Sequence, residues 1–241
     1  MLREAWATLV PDMTDRHGPL PPLMLALTVV TGLVDAVSYL QLGRVFVANM
    51  TGNVVFCGFA FAGAPGFSLA ASLVALAAFA AGALFGGLVV HRTRTHRGRN
   101  LQYALLAETV FVAAAVIVTQ VSGSPYAGGV RFTLLVLGLG VQNTAARALA
   151  VPDLTTTVLT LTITGIAADS HLTGGAGNKA GRRVMSACAM LLGAVAGAAA
   201  VLHGHPTLPL LLAVAILAAA SATATALART DAPWTRPLAR K

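Results

Sequence analysis

Ala48-Asn49-Met50-Thr51-Gly52-Asn53 interrupts one apolar stretch of this chain, and Asp153-Leu154-Thr155-Thr156-Thr157, continuing to Thr160-Leu161-Thr162, interrupts another about a hundred residues later. Amides, hydroxyls and a helix-breaking glycine are costly at membrane depth unless they line a cavity or are shielded by protein. Two such breaks predict a duplicated membrane protein whose broken segments meet to form a site.

The surroundings of these breaks set the class. Of 241 residues, 56% are hydrophobic and 10% charged, and the mean hydropathy is +0.78. Apolar runs near twenty residues recur between short polar joints, which describes an all-α, polytopic membrane protein whose partner is the lipid bilayer. The runs are 22–40, 45–63, 68–90, 102–121, 130–149, 154–168, 184–202 and 208–227. The first lacks a small-residue cleavage site and is read as a retained span. The net charge of +8 does not indicate nucleic acid, because Lys and Arg sit in joints and tails with no polar domain or interleaved aromatics to present them.

Charge also decides how many runs cross. The 91–100 loop carries Arg92, Arg94, Arg97 and Arg99. If all eight runs crossed with the amino end inside, this loop would lie outside, against the positive-inside rule. If 45–63 and 154–168 instead enter and return on one side, basic residues collect inside. These are Arg3, Arg16, the loop, Arg147, Lys179, Arg182, Arg183 and the tail, leaving Arg44 and Arg131 outside. Fifteen helical residues in 154–168 would reach only about 22 Å, against a hydrocarbon core of ~30 Å. Six transmembrane helices plus two re-entrant, broken segments are therefore expected, with both termini cytoplasmic.

An internal repeat points the same way. Gly32-Leu33-Val34-Asp35-Ala36 precedes the first break much as Gly140-Val141-Gln142-Asn143-Thr144 precedes the second. Gly82-xxx-Gly86 matches Gly193-xxx-Gly197, and such small-residue pairs let helix backbones approach within a chain or between copies, so a homo-oligomer is open. Three spans per half make the second copy inverted, a 3+3 arrangement used by many transporters. The organisation then reads as a cytoplasmic segment 1–21, a membrane repeat 22–121, a linker 122–129, a second repeat 130–228 and a basic cytoplasmic tail 229–241.

At these residues the chain resembles the YoaK-like proteins, multi-pass bacterial membrane proteins of unknown function. Gly32-Leu33-Val34-Asp35-Ala36-Val37-Ser38-Tyr39-Leu40, Gly43 and Val45-Phe46-Val47-Ala48-Asn49-Met50-Thr51-Gly52-Asn53 look like the family's first signature. The run from Gly140-Val141-Gln142-Asn143 to Thr156-Thr157-Val158-Leu159-Thr160 looks like its second, with a departure at Leu161, where Gly would match Gly52. The resemblance implies membrane class and a bacterial inner membrane, and brings no substrate.

Asp35 is the leading candidate for chemistry, since an ionisable group inside a span is a functional hypothesis by default. The competing reading pairs it with Arg44 or neighbouring backbone. Glu108 is a second candidate for proton or ion coupling, or could snorkel toward the basic loop. Asn49, Thr51, Gly52, Asn53, Gln142, Asn143, Thr157, Thr160 and Thr162 are read as lining a pathway for a small solute or ion. The bland alternative is that their hydroxyls and amides hold helices together. Cys57 and Cys188 are read as two buried, inert thiols. His91, His96, His203 and His205 lack ligand spacing for a metal, no cofactor motif occurs, and no nucleophile and base lie at catalytic spacing. A small-solute or ion transporter or channel is the leading expectation, and a non-transporting scaffold or accessory subunit is the alternative.

Overall fold

The structure is a computed structural model, and it describes residues 2–121, 127–154, 156–157, 159–168 and 180–237. Thr155, the joint residues 169–179 with Lys179, and the tail residues Arg240 and Lys241 lie outside the described residues. Every regular element among those described is helical: α1 (Leu2–Leu9), α2 (Leu20–Gln41), α3 (Met50–Phe61), α4 (Leu69–Arg92), α5 (Arg97–Val121), α6 (Ala127–Leu149), α7 (Leu159–Ala168), α8 (Ala180–Leu202) and α9 (Leu208–Leu227). A 3-10 turn (Pro233–Thr235) follows α9.

Local chemistry explains most helix boundaries. Prolines open α2 and α9, where the missing N–H has no helical partner to lose. Ser68 caps α4 by accepting from Ala71 N at 3.2 Å, and Asn49 caps α3 by accepting from Gly52 N at 3.3 Å. Thr28 and Thr31 donate to the carbonyls of Met24 and Leu27 inside α2.

Six helices, α2, α4, α5, α6, α8 and α9, are long and apolar enough to cross a membrane. Leu84, Val110, Val121, Leu191, Leu192 and Leu202 point outward and are strongly exposed, as a lipid-facing surface requires. α3 and α7 are short. Twelve residues of α3 and ten of α7 rise only about 18 and 15 Å. Each follows an irregular stretch, so both are broken segments.

α2 packs chiefly on α8, and α6 chiefly on α4. Glycines make both contacts close. A methyl group at Gly32 would strike backbone atoms of Met190 and Ala194, and one at Gly140 would strike those of Phe79 and Ala83. Gly193 and Gly197 face Val29 and Leu33 on α2, while Gly82 and Gly86 face Leu137 and Val141 on α6. Both small-residue pairs are thus used inside the chain. Cys57 is buried, whereas Cys188 is exposed on α8: the apolar surroundings that suggested burial are, for this residue, the outer face.

Arg97, at the start of α5, ties one end of the bundle together. It donates to Arg16 O at 2.6 Å, Leu149 O at 2.6 Å and Trp234 O at 3.4 Å, and approaches His17 Nδ1 at 3.4 Å. Gly98 abuts Ala228 and Trp234, so α9 ends there too. Arg182, at the start of α8, reaches Pro152 O at 3.4 Å just beyond α6. Hence α2, α5 and α8 begin at the Arg97 end, and α4, α6 and α9 finish there. The segment carrying α3 therefore leaves α2 and rejoins α4 at the far end of the bundle, and α7 lies between the end of α6 and the start of α8, both at the Arg97 end.

Candidate functional site

The first break is held open by its own polar side chains. Asp35 Oδ1 accepts from Val47 N at 2.9 Å and Ala48 N at 3.2 Å. Its partners are backbone amides and not Arg44. Asn53, fully buried, grips Phe46 from both sides: Phe46 N donates to Asn53 Oδ1 at 2.9 Å and Asn53 Nδ2 donates to Phe46 O at 2.7 Å. Ser38 Oγ donates to Val45 O at 2.7 Å. Three side chains on helices thus satisfy an irregular backbone that would otherwise be unpaired at membrane depth. Gly52 lets the Phe46 ring approach closely, since a Cβ there would lie 3.0 Å from it.

The second break is arranged in parallel. Asn143, which follows Gly140 by three residues as Asp35 follows Gly32, accepts at Oδ1 from Thr157 Oγ1 at 2.8 Å. Arg183 Nε donates to Asp153 Oδ1 at 2.8 Å, tying the break to α8. Ala150, Asp153 and Thr156 adopt positive φ, so this stretch turns sharply without glycine.

Between the breaks lies a cavity of about 720 Å³. Asp35, Asn49, Thr51 and Gly52 line it from the first half, and Asn143, Thr157 and Thr160 from the second. Phe46, Phe56, Phe79, Met50, Met190, Gly32, Ala48, Val55 and Ala194 complete the wall. The rings form a stack, with Tyr39 to Phe46 at 5.0 Å and Phe46 to Phe56 at 5.7 Å. Of the other residues read as pathway-lining, Asn53 braces the loop behind the wall, while Gln142 and Thr162 are buried off it.

Glu108 occupies a separate place. It is buried between α5 and α6, and its neighbour is Gln142. With the amide nitrogen toward the acid, Gln142 Nε2 donates to Glu108 Oε1 at 2.6 Å, and its oxygen accepts from Thr31 Oγ1 at 2.9 Å and Thr156 Oγ1 at 3.1 Å. With the amide reversed, Gln142 Nε2 donates to Thr31 Oγ1 at 2.9 Å, and Glu108 must carry a proton to donate to the amide oxygen. The amide orientation is thus tied to the protonation state of Glu108.

Sequence reasoning placed Arg97 in a basic loop and Trp234 in a basic tail, and neither was singled out. Both are buried anchors at the Arg97 end. Gly18, whose Cβ would collide with the Trp234 ring, is the residue that could have signalled this packing.

Among curated proteins, the UPF0700 transmembrane protein YoaK of Bacillus subtilis (strain 168) is 30% identical over 147 residues, covering 61% of this chain. The match spans 65% of that relative, just under two thirds of its length. No solved structure matches. Residues 23–223 match the family model described as "Protein of unknown function (DUF1275)". That span contains both breaks, the cavity between them and all six long helices except their outermost turns, and the chain is a multi-pass membrane protein belonging to the DUF1275 family.

Proposed function

We propose that this protein is a transporter or channel for a small solute or ion, acting at the cavity between the two breaks. One observation carries this reading. Polar residues from two segments far apart in sequence line one chamber inside an otherwise apolar bundle. Polar groups at that depth are expensive and, in membrane proteins, mark pathways.

The reading includes an inverted 3+3 repeat, with α2, α3, α4 and α5 equivalent to α6, α7, α8 and α9. In its support, the close contacts correspond pair by pair: Gly32 on α8 with Gly140 on α4, Gly193 on α2 with Gly82 on α6, and Gly197 with Gly86. α3 returns to the far end and α7 to the Arg97 end, as an inverted pair would. Because Arg16, Arg92, Arg94, Arg97, Arg147, Arg182 and Arg183 gather at the Arg97 end, that end faces the cytoplasm of a bacterial inner membrane.

Two sets of single cysteines in a Cys57→Ala, Cys188→Ala background test this. Ala62→Cys should react with an impermeant maleimide only from outside, and Thr95→Cys only from inside. Thr51→Cys and Thr160→Cys, on the cavity wall, should be reached by small water-soluble thiosulfonates from each face in turn. Cavity cysteines that remain unreactive from both faces would sink transport and favour a packed, non-transporting scaffold.

A further inference from the structure

We infer that the cavity takes a small organic cation, a substituted or quaternary ammonium ion, with Asp35 as its counter-charge and the Phe46 and Phe56 rings as its walls. The inference rests on the reading of the cavity as a solute site and narrows it to one chemical class.

Charge comes first. Asp35 is the one formally charged residue among the described lining residues, which include no Lys, Arg or His. Its Oδ1 is committed to Val47 N and Ala48 N, and Oδ2 has no hydrogen-bond partner among the described residues. One carboxylate oxygen is therefore left for a ligand, in a chamber that offers no cation of its own.

Donors point the same way. The start of a short helix beside a loop would ordinarily suit an anion through free backbone N–H groups. Here the loop amides and one first-turn amide are occupied, which leaves Met50 N and Thr51 N among the described residues. Phe46 N is held by Asn53, Val47 N and Ala48 N by Asp35, and Gly52 N by Asn49. Asn143 Oδ1 already accepts from Thr157. An anion would meet a carboxylate and few free amides.

Size and wall separate an organic cation from a metal ion. A chamber of about 720 Å³ falls in the range of small-molecule pockets, roughly 300–1,000 Å³, far larger than a coordination shell. Its wall is mainly apolar, with two stacked rings and two methionines. Aromatic walls with one carboxylate suit alkylated ammonium groups, whose diffuse charge gains from ring faces and loses little on leaving water.

The experiment uses the full chain purified in detergent and two probes of similar size and opposite charge, benzyltrimethylammonium and phenylmethanesulfonate, titrated by calorimetry at fixed pH and ionic strength. Saturable binding of the cation is expected, with the sulfonate at least ten-fold weaker. Asp35→Asn, which keeps an oxygen for Val47 N and Ala48 N, should weaken the cation ten-fold or more at unchanged thermal stability. Phe46→Leu should weaken it several-fold.

Equal or tighter binding of the sulfonate, or cation binding indifferent to Asp35→Asn, would overturn the ligand class and leave the solute-site reading standing. Failure of both probes to bind, with Thr51→Cys and Thr160→Cys also unreactive from both faces, would overturn both. Failure of both probes with reactive cavity cysteines would overturn the cation assignment alone.

Discussion

Two acids sit inside the bundle, and their surroundings give them different tasks. Asp35 faces a chamber and spends one oxygen on backbone amides. Glu108 faces a side-chain amide in a closed contact. Glu108→Gln supplies another group that can both donate to and accept from Gln142, so the thermal midpoint in detergent should move little. Glu108→Ala strands the Gln142 amide and should cost about 1–3 kcal/mol, read as a clear fall in that midpoint. Equal loss in both variants would mean that Glu108 holds the core by its charge. At this scale the sequence was partly legible: an acid in an apolar run is visible on sight, as are the amides around it. What it did not reveal was which amide faces the cavity and which braces the loop. Asn49 and Asn53 look alike in sequence, but Asn53 closes two hydrogen bonds on Phe46 behind the wall. That difference arises from a loop conformation no residue-type pattern encodes.

Among the elements, glycine contacts define the packing. Gly193 lies against the Val29 carbonyl with no room for a side chain, whereas Gly87, the residue after packed Gly86 on α4, has nothing within 4 Å. Gly193→Leu should destabilise the bundle by at least about 1–3 kcal/mol through overpacking, and Gly87→Leu should be silent. Comparing their thermal midpoints checks this, and equal effects would mean that the α2–α8 contact is not tight in solution. Gly82→Leu should behave like Gly193→Leu, since the α4–α6 contact is built in the same way. Helix number and approximate bounds were legible because six long runs of apolar residues permit little else. The two short helices were legible by their breaks, but the run 45–63 was long enough to span on paper. Only the hydrogen bonds of Asp35, Ser38 and Asn53 convert its first residues into an irregular stretch and leave a helix too short to cross. α1 and its contact with α8 through Glu4 and Gly181 carried no signal in hydropathy.

In the whole molecule, the clasp at Arg97 ties the start of α5 to the chain before α2, the end of α6 and the turn after α9. His17 sits within it, and burial, then the charges of Arg97 and Arg16, holds its imidazole below the usual range. The unfolded chain therefore takes up this proton more readily than the folded one. Stability from His17 is complete above the ordinary imidazole value, ~6.5, and declines as pH falls below it. The thermal midpoint should drop between pH 7.5 and pH 5, and His17→Gln, which keeps an acceptor for Arg97, should flatten that slope. An unchanged slope would place the acid sensitivity elsewhere. Trp234 is fully buried beside Gly18 and Gly98, and Trp234→Ala should cost about 3–5 kcal/mol.

That same tryptophan follows all six long helices in the chain. During synthesis Arg97 is made early, and its carbonyl partner at Trp234 leaves the ribosome only after every span has been threaded. Until then the helices lack one of the ties that join the start of α5 to the turn after α9. A chain interrupted anywhere before Trp234 lacks both that tie and the ring that packs against Gly18 and Gly98.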